Sequence, residues 1–309
     1  MKITNLHGLP QVLVDAVKND PYHDGLPAGT DPARYTTVTR LVRPPQMNRL
    51  VQLHYDEIQE DASERLWALR GQATHHVIER AALGRPELLS ETRLLREFAG
   101  WTIGGRLDLY DKQEQHLFDV KDTSVWAVLA GMKPEWQRQL DLLCWLLRHH
   151  GYSPQTVSII WLARDWSRTK AKYTRSSDSY PGLPAGLLSV TPASDDETEA
   201  WLASTLLELE AEEPRGCTDE ERWLRGGGWA VMKQGAKRAR RLLETAEAAE
   251  AWIAAQPASE QPKLFLEGRE AIYERCECYC AARAFCRQAQ ADGIQFPEPI
   301  RAAGGELAF

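Results

Sequence analysis

The chain has 309 residues, 43% of them apolar, and a formal net charge of -7 at pH 7. Such a chain can bury a sizeable core in one elaborated domain or two, and the absence of any run of about 18 apolar residues excludes a helical membrane span. The acidic balance speaks against a uniformly basic surface for nucleic acid, although net charge hides local patches.

The opening MKITNLHGLPQVLVDAV has no apolar core of signal-peptide length, so a reducing, cytoplasmic setting without disulfides is expected. Residues 1–35 read as loop-rich, with NDPYHDGLPAGTDPARY full of turn formers. TTVTRLVRPPQMNRLVQLHYDEI then leads into a helix expected from Asp61 to Leu83 by its apolar spacing and strong helix formers. On that helix His75 and Glu79 stand four residues apart and so share a face. Imidazole is a common ligand for manganese-like metals, while a lone helical histidine is more often structural.

Residues 88–165 read as a mixed central sheet. SETRLLREFAGWTIGGRLDLY supplies two strands, HLFDVKDT a third and TVSIIWLARDW a further apolar one. Ile103 to Tyr110 and His116 to Asp122 alternate apolar and polar residues around the polar turn DKQEQ, and they deliver Asp108, Asp119 and Lys121. Asp119 and Lys121 flank Val120, so they point to one face. Two acids can hold a divalent metal and the lysine can sit beside an activated water, although such a pair on a strand is more often a solvated face. Pro134 to His150 reads as a second amphipathic helix, with Gln137 and Gln139 ahead of an apolar run and Gln139 a candidate to orient a lysine or phosphate.

The order of these parts, G-x-x-x-H-x-x-x-E on a helix, G-x-x-D and D-x-K on strands, Q-L on a helix, resembles the PD-(D/E)XK nuclease superfamily. Within it the likeness is to the RecB-type branch with the CRISPR-adaptation nucleases and phage exonuclease-like proteins. The residues that carry it are GQATHHVIE, IGGRLDLYD, FDVKD and WQRQLDLL. The resemblance implies an α/β, restriction-endonuclease-like mixed sheet flanked by helices, with helical N-terminal and C-terminal additions. It implies Mg2+ or Mn2+ held by His75, Asp108 and Asp119, with Asp119 also meeting the scissile phosphate, Lys121 assisting the attacking water and Gln139 matching the motif's glutamine. One departure is Leu143, where the family often has tyrosine.

Beyond Ser167 to Pro192, which reads as a long polar loop, the chain from about Asp195 reads as helical: TEAWLASTLLELEAEE, KRARRLLETAEAAEAWIAAQ and LEGREAIYERCECYC have helical spacing. Between them Arg222 to Arg241 carries basic residues and no acid, including Lys233, Lys237 and Arg238. That stripe suits a DNA channel, a solvated helix face or a docking segment. Four cysteines crowd into CECYCAARAFC, and in a reducing compartment such crowding reads as a zinc or iron-sulfur site, or as free thiols in a cap. Because RecB-type members hold a 4Fe-4S cluster with three close cysteines and a distant one, the resemblance points to Cys276, Cys280 and Cys286. Here Cys217 is the candidate fourth ligand, with Cys278 its competitor.

Three segments are expected: 1–87 with the His motif, 88–192 as the nuclease core and 193–309 with the cysteine cluster, all within one elaborated nuclease domain. The tail RAAGGELAF reads as loosely held. The expected activity is metal-dependent DNA hydrolysis by an exonuclease in repair, recombination or phage DNA processing, with DNA and a recombination or helicase protein as partners. The alternatives are a nuclease-like DNA-binding or scaffold module that does not cut, and a cysteine-metal regulatory protein. Of eleven tryptophans, Trp126 and Trp136 are the candidates to stack on unpaired bases.

Overall fold

The computed structural model describes residues 1–18, 26–174 and 179–294. They group into two units, residues 1–49 with 56–214, and residues 50–55 with those from 215 onward. The tail singled out in the sequence lies outside the described residues, as does part of the turn-rich stretch before residue 35.

In the first unit, β1 (Lys2–Thr4), α1 (Gln11–Lys18), β2 (Tyr35–Thr37), α2 (Val38–Leu41), α3 (Pro45–Leu53, whose last turn groups with the second unit) and β3 (Gln59–Asp61) precede the long helix α4 (Ala62–Ala82). The opening is therefore more ordered than its turn formers suggest. β1 pairs in parallel with β3, and Asp61 caps α4 with Oδ1 accepting the Ser63 N–H at 3.0 Å and Oδ2 accepting that of Leu6 at 2.6 Å.

The main sheet follows from β4 (Leu88–Phe98), β5 (Trp101–Asp111), β6 (His116–Thr123), β7 (Thr156–Ala163) and β8 (Ala185–Val190), in the order β2-β5-β6-β7-β8 with β4 on β5. β4 and β5 form a hairpin around Ala99 and Gly100, both with positive φ, the geometry a two-residue hairpin turn requires. β4 takes one edge of β5 along its length. The other edge is shared, with β2 on Thr102 to Gly104 and β6 on Leu109 to Asp111. The stretch between, ending at Asp108, is left open on that side. β6 then pairs in parallel with β7, and β8 closes the sheet antiparallel to β7.

Between β6 and β7 lie α5 (Val125–Leu129) and α6 (Pro134–His149), and α7 (Arg168–Tyr173) and α8 (Asp195–Glu210) flank β8. The apolar face of α6, from Leu140 to Leu147, packs with Ile103, Leu107, Leu117, Val157 and Ile159 as the main core. Gly105 permits this approach, because a Cβ there would meet Leu146 at 2.6 Å, Val38 at 2.9 Å and Leu143 at 3.0 Å. Leu143, where the family pattern has tyrosine, is a core residue against the sheet. The segment from Ser167 to Pro192 is a correction: it holds α7, capped by Ser167, and the alternating strand β8 rather than one long loop.

The second unit contains β9 (Leu224–Gly226), β10 (Trp229–Lys233), β11 (Arg241–Leu243), α9 (Ala246–Ala254), β12 (Leu264–Gly268), β13 (Ala271–Tyr273) and α10 (Arg287–Ala291). Its strands form a β11-β10-β12 sheet and a β9-β13 pair. Two helices expected here are corrected. Arg241–Leu243 is a strand and the helix starts only after the Thr245 cap, while LEGREAIY forms β12 and β13 around Gly268. Cross-strand pairing of Leu264, Leu266 and Ile272 outweighs helix propensity in these short segments. No helix among the described residues is long and apolar enough to cross a membrane.

Candidate active site

His75 projects from α4 toward the β4–β5 hairpin. Its Nδ1 lies 3.3 Å from Glu91 Oε1 and 3.4 Å from Asp108 Oδ1. Counting pairs along the hairpin puts Glu91 directly opposite Asp108, yet Glu91 adopts φ 45° and interrupts the ladder there. One donor atom from each of His75, Glu91 and Asp108 falls within 4.8 Å of the others. Glu91 Oε2 also lies 3.7 Å from Arg106.

Asp108 sits where β5 and β6 part. Their ladder ends at Leu109 and Phe118, and Asp108 Oδ2 accepts the N–H of Val120 at 2.6 Å, so the carboxylate bridges the opening strands. Asp119 and Lys121 lie on one face of β6, with Asp119 Oδ2 2.8 Å from Lys121 Nζ. From α6, Gln139 donates to Asp119 Oδ1 at 2.7 Å and accepts from Lys121 at 3.0 Å. One amide therefore fixes both the acid and the amine. Asp119 is 1% exposed, and it is not within 4.8 Å of all three members of the His75 group. The structure thus joins His75 to Asp108 and Glu91, and Asp119 to Lys121 and Gln139.

The charges suit a cation. Burial by itself would lower His75, but hydrogen bonds to Asp108 and Glu91 raise it to about 10, so without a metal a proton holds the two carboxylates together. Burial raises Asp119 to about 6, with Lys121 opposing and Asp108 adding. Burial lowers Lys121, and the nearby Asp119 and Asp108 more than offset it, so its ammonium is held above the ordinary range. One imidazole and two facing carboxylates form a mixed nitrogen-oxygen donor set able to hold a divalent cation.

The other candidates are scattered. Glu79, expected on the face of His75, instead lies 3.4 Å from the exposed His76. Trp126 is 76% exposed, whereas Trp136 is buried in the core under Lys133 and cannot stack on a base. Of the basic stripe, Lys233 pairs with Glu260 at 2.9 Å, and Lys237 and Arg238 lie exposed beyond β10, on strands and turns rather than a helix. In the second unit, burial, Glu221 and then Cys286, Cys276 and Cys280 push the Cys217 thiol up to about 12, while Cys278 is exposed. The Gln288 amide clamps the Cys217 backbone, accepting at 3.0 Å and donating at 2.9 Å.

Glu91 and Gln288 were not singled out in the sequence. Glu91 had a signal, since counting back from the Ala99–Gly100 turn sets it across from Asp108; Gln288 had none.

A helix bearing the histidine, two strands bearing the acids and the lysine, and a helix returning the glutamine are thus set around one mixed central sheet flanked by helices. No family model matches the sequence, and no curated protein matches it. Among solved structures the chain is similar to that titled SSO0001, with 18% identity, a TM-score of 0.44, and coverage of 69% of this chain and 89% of the other. It is also similar to an alkaline exonuclease, LHK-Exo, from Laribacter hongkongensis, at 18% identity and a TM-score of 0.37, covering 58% and 91%. A phage-related exonuclease from Haemophilus somnus 129PT shares 15% identity at a TM-score of 0.27, covering 44% and 66%.

Proposed function

We propose that the chain is a metal-dependent deoxyribonuclease, an exonuclease that hydrolyses phosphodiester bonds in DNA repair, recombination or phage DNA processing. The observation that carries this reading is the Asp119–Gln139–Lys121 triangle on the strand beside the His75–Glu91–Asp108 donor set. His75, Glu91 and Asp108 would hold Mg2+ or Mn2+, with Asp119 at the edge of that set toward the scissile phosphate. A bound divalent ion supplies charge against the phosphate oxygens and acidifies water. Lys121, kept as an ammonium by Asp119 and Asp108, acts by its charge: it neutralises the phosphate and orients a water rather than taking its proton. Gln139 holds that lysine in one rotamer, so the geometry exists before substrate arrives.

The chemistry of Cys217, Cys276, Cys280 and Cys286 in the second unit supports a resident metal group held by thiolates, a 4Fe-4S cluster as the sequence resemblance implies, with zinc as the alternative.

The test is cleavage of end-labelled single- and double-stranded DNA with Mn2+. Asp119→Asn and Lys121→Ala should each lose about 100-fold or more in rate while keeping a cooperative thermal melt. Full activity in either variant sinks the assignment.

A further inference from the structure

Trp126, Tyr173 and Trp67, at 76%, 74% and 65% exposure, are the most exposed aromatic side chains among the described residues. All three stand at one edge of the main sheet. β6 and β7 are parallel, so α5 and α7 both begin beyond the same strand ends. The two connections are tied together, with Arg164 N–H donating to Thr123 O at 2.9 Å and Val125 N–H donating to Asp165 Oδ1 at 2.7 Å. Trp126 rides on the first and Tyr173 on the second. Trp67 comes to this edge on α4, one turn before Arg70, whose guanidinium lies 3.2 Å from Asp122, the neighbour of Lys121.

The same edge is basic. Arg164, Arg168, Lys170 and Lys172 are all exposed, and among the described residues none of them enters an ion pair. The one acid of that segment, Asp165, is engaged by the Val125 amide. Lys172 lies 5.7 Å from the ring centre of Tyr173, so charge and aromatic face are presented together. In a chain of net charge -7, this is a local reversal of sign beside the strand that carries Lys121. Lys233 of the stripe in the second unit, by contrast, is neutralised by Glu260.

We propose that this edge is a platform for an unpaired strand of DNA, with bases stacking on Trp67, Trp126 and Tyr173 and phosphates meeting Arg168, Lys170 and Lys172. Unpaired DNA is the occupant because a duplex hides its base faces, while a single strand offers each base to a ring and its phosphates to the adjoining cations. The platform deepens the nuclease reading and rests on it: the strand held there is the one delivered to Lys121.

The test is fluorescence anisotropy with labelled oligothymidine and with a duplex of equal length, in EDTA so that nothing is cut. Wild type should bind oligothymidine more tightly than the duplex. Trp67→Ala, Trp126→Ala and Tyr173→Ala should each weaken oligothymidine binding by about 5- to 100-fold, Trp126→Phe should restore most of the loss, and the duplex should be little affected. Lys170→Ala with Lys172→Ala should flatten the log-log salt dependence by about 1.4. All these side chains are exposed, and a thermal melt equal to wild type certifies the fold. Equal losses on both probes, wild-type affinity in the triple aromatic variant, or no oligothymidine binding by wild type would overturn the platform. Because binding is read without metal, the two readings fail separately. Platform-dependent binding without cleavage in Mn2+ removes the nuclease and keeps the platform; normal cleavage with an indifferent triple variant does the reverse.

Discussion

A glutamate in left-handed backbone, facing an aspartate across a hairpin, is a poor choice for stability alone. The conformation costs about 1–3 kcal/mol, and carboxylates directly opposite each other repel. At Glu91 both terms act, and His75 relieves the repulsion by keeping a proton between the two acids. A divalent cation relieves the repulsion better, which is the physical argument for Glu91 as a ligand. Glu91→Gly should therefore lower Mn2+ affinity by at least about tenfold in calorimetry. Unchanged Mn2+ affinity would show Glu91 to be structural instead.

The elements that bring these residues together depend on two local features. Gly105 lets α6 approach β5, with three core methyls within 3.0 Å of where a Cβ would sit. Gly105→Ala should destabilise the protein by about 1–3 kcal/mol by overpacking, read by urea denaturation. Gln139 rides on α6, so the same variant should also slow cleavage. Asp61 fixes the start of α4, the helix that carries His75. Burial would raise its carboxyl, but the amides of Leu6 and Ser63, with the Ser63 and Thr4 hydroxyls, override this and lower it from 3.8 to about 2. A carboxyl lowered on folding stabilises the native state at pH values above its unfolded pKa, and that contribution fades as pH falls from near 4 toward 2. Asp61→Ala should cost about 1 kcal/mol at neutral pH, and its stability should fall less steeply than wild type across that acid window. Parallel pH profiles would refute the assignment.

At the scale of the whole molecule the two candidate metal sites lie in separate units, the His75 group in the first and the cysteines in the second. Burial and the neighbouring cysteines raise the thiols of Cys217 and Cys280, so these two are poorly accommodated as thiolates without a metal, and a group bound only by the folded unit stabilises it. Anaerobically purified protein should carry iron and absorb broadly near 400 nm. Cys217→Ser and Cys280→Ser should lose both signals, whereas Cys278→Ser, altering an exposed side chain, should keep them. Zinc in stoichiometric amount with no colour would instead indicate the simpler site.

The sequence by itself determined the helix of His75, the hairpin and strands of Asp108, Asp119 and Lys121, and the helix of Gln139. Each is a segment whose apolar period and turn chemistry agree with its tertiary role, so local rules suffice. It also marked the cysteines, because clustering is a property of the linear chain. Tertiary structure alone decided that Glu91 joins His75 and Asp108, since the third donor depends on hairpin register and on a backbone conformation no propensity encodes. It decided as well that Trp136 is buried while Trp126 is exposed, and that the segments around Arg241 and Leu266 are strands. In short segments, where helix and strand propensities differ by fractions of a kcal/mol, the partner across the ladder makes the choice, and that partner is distant in sequence.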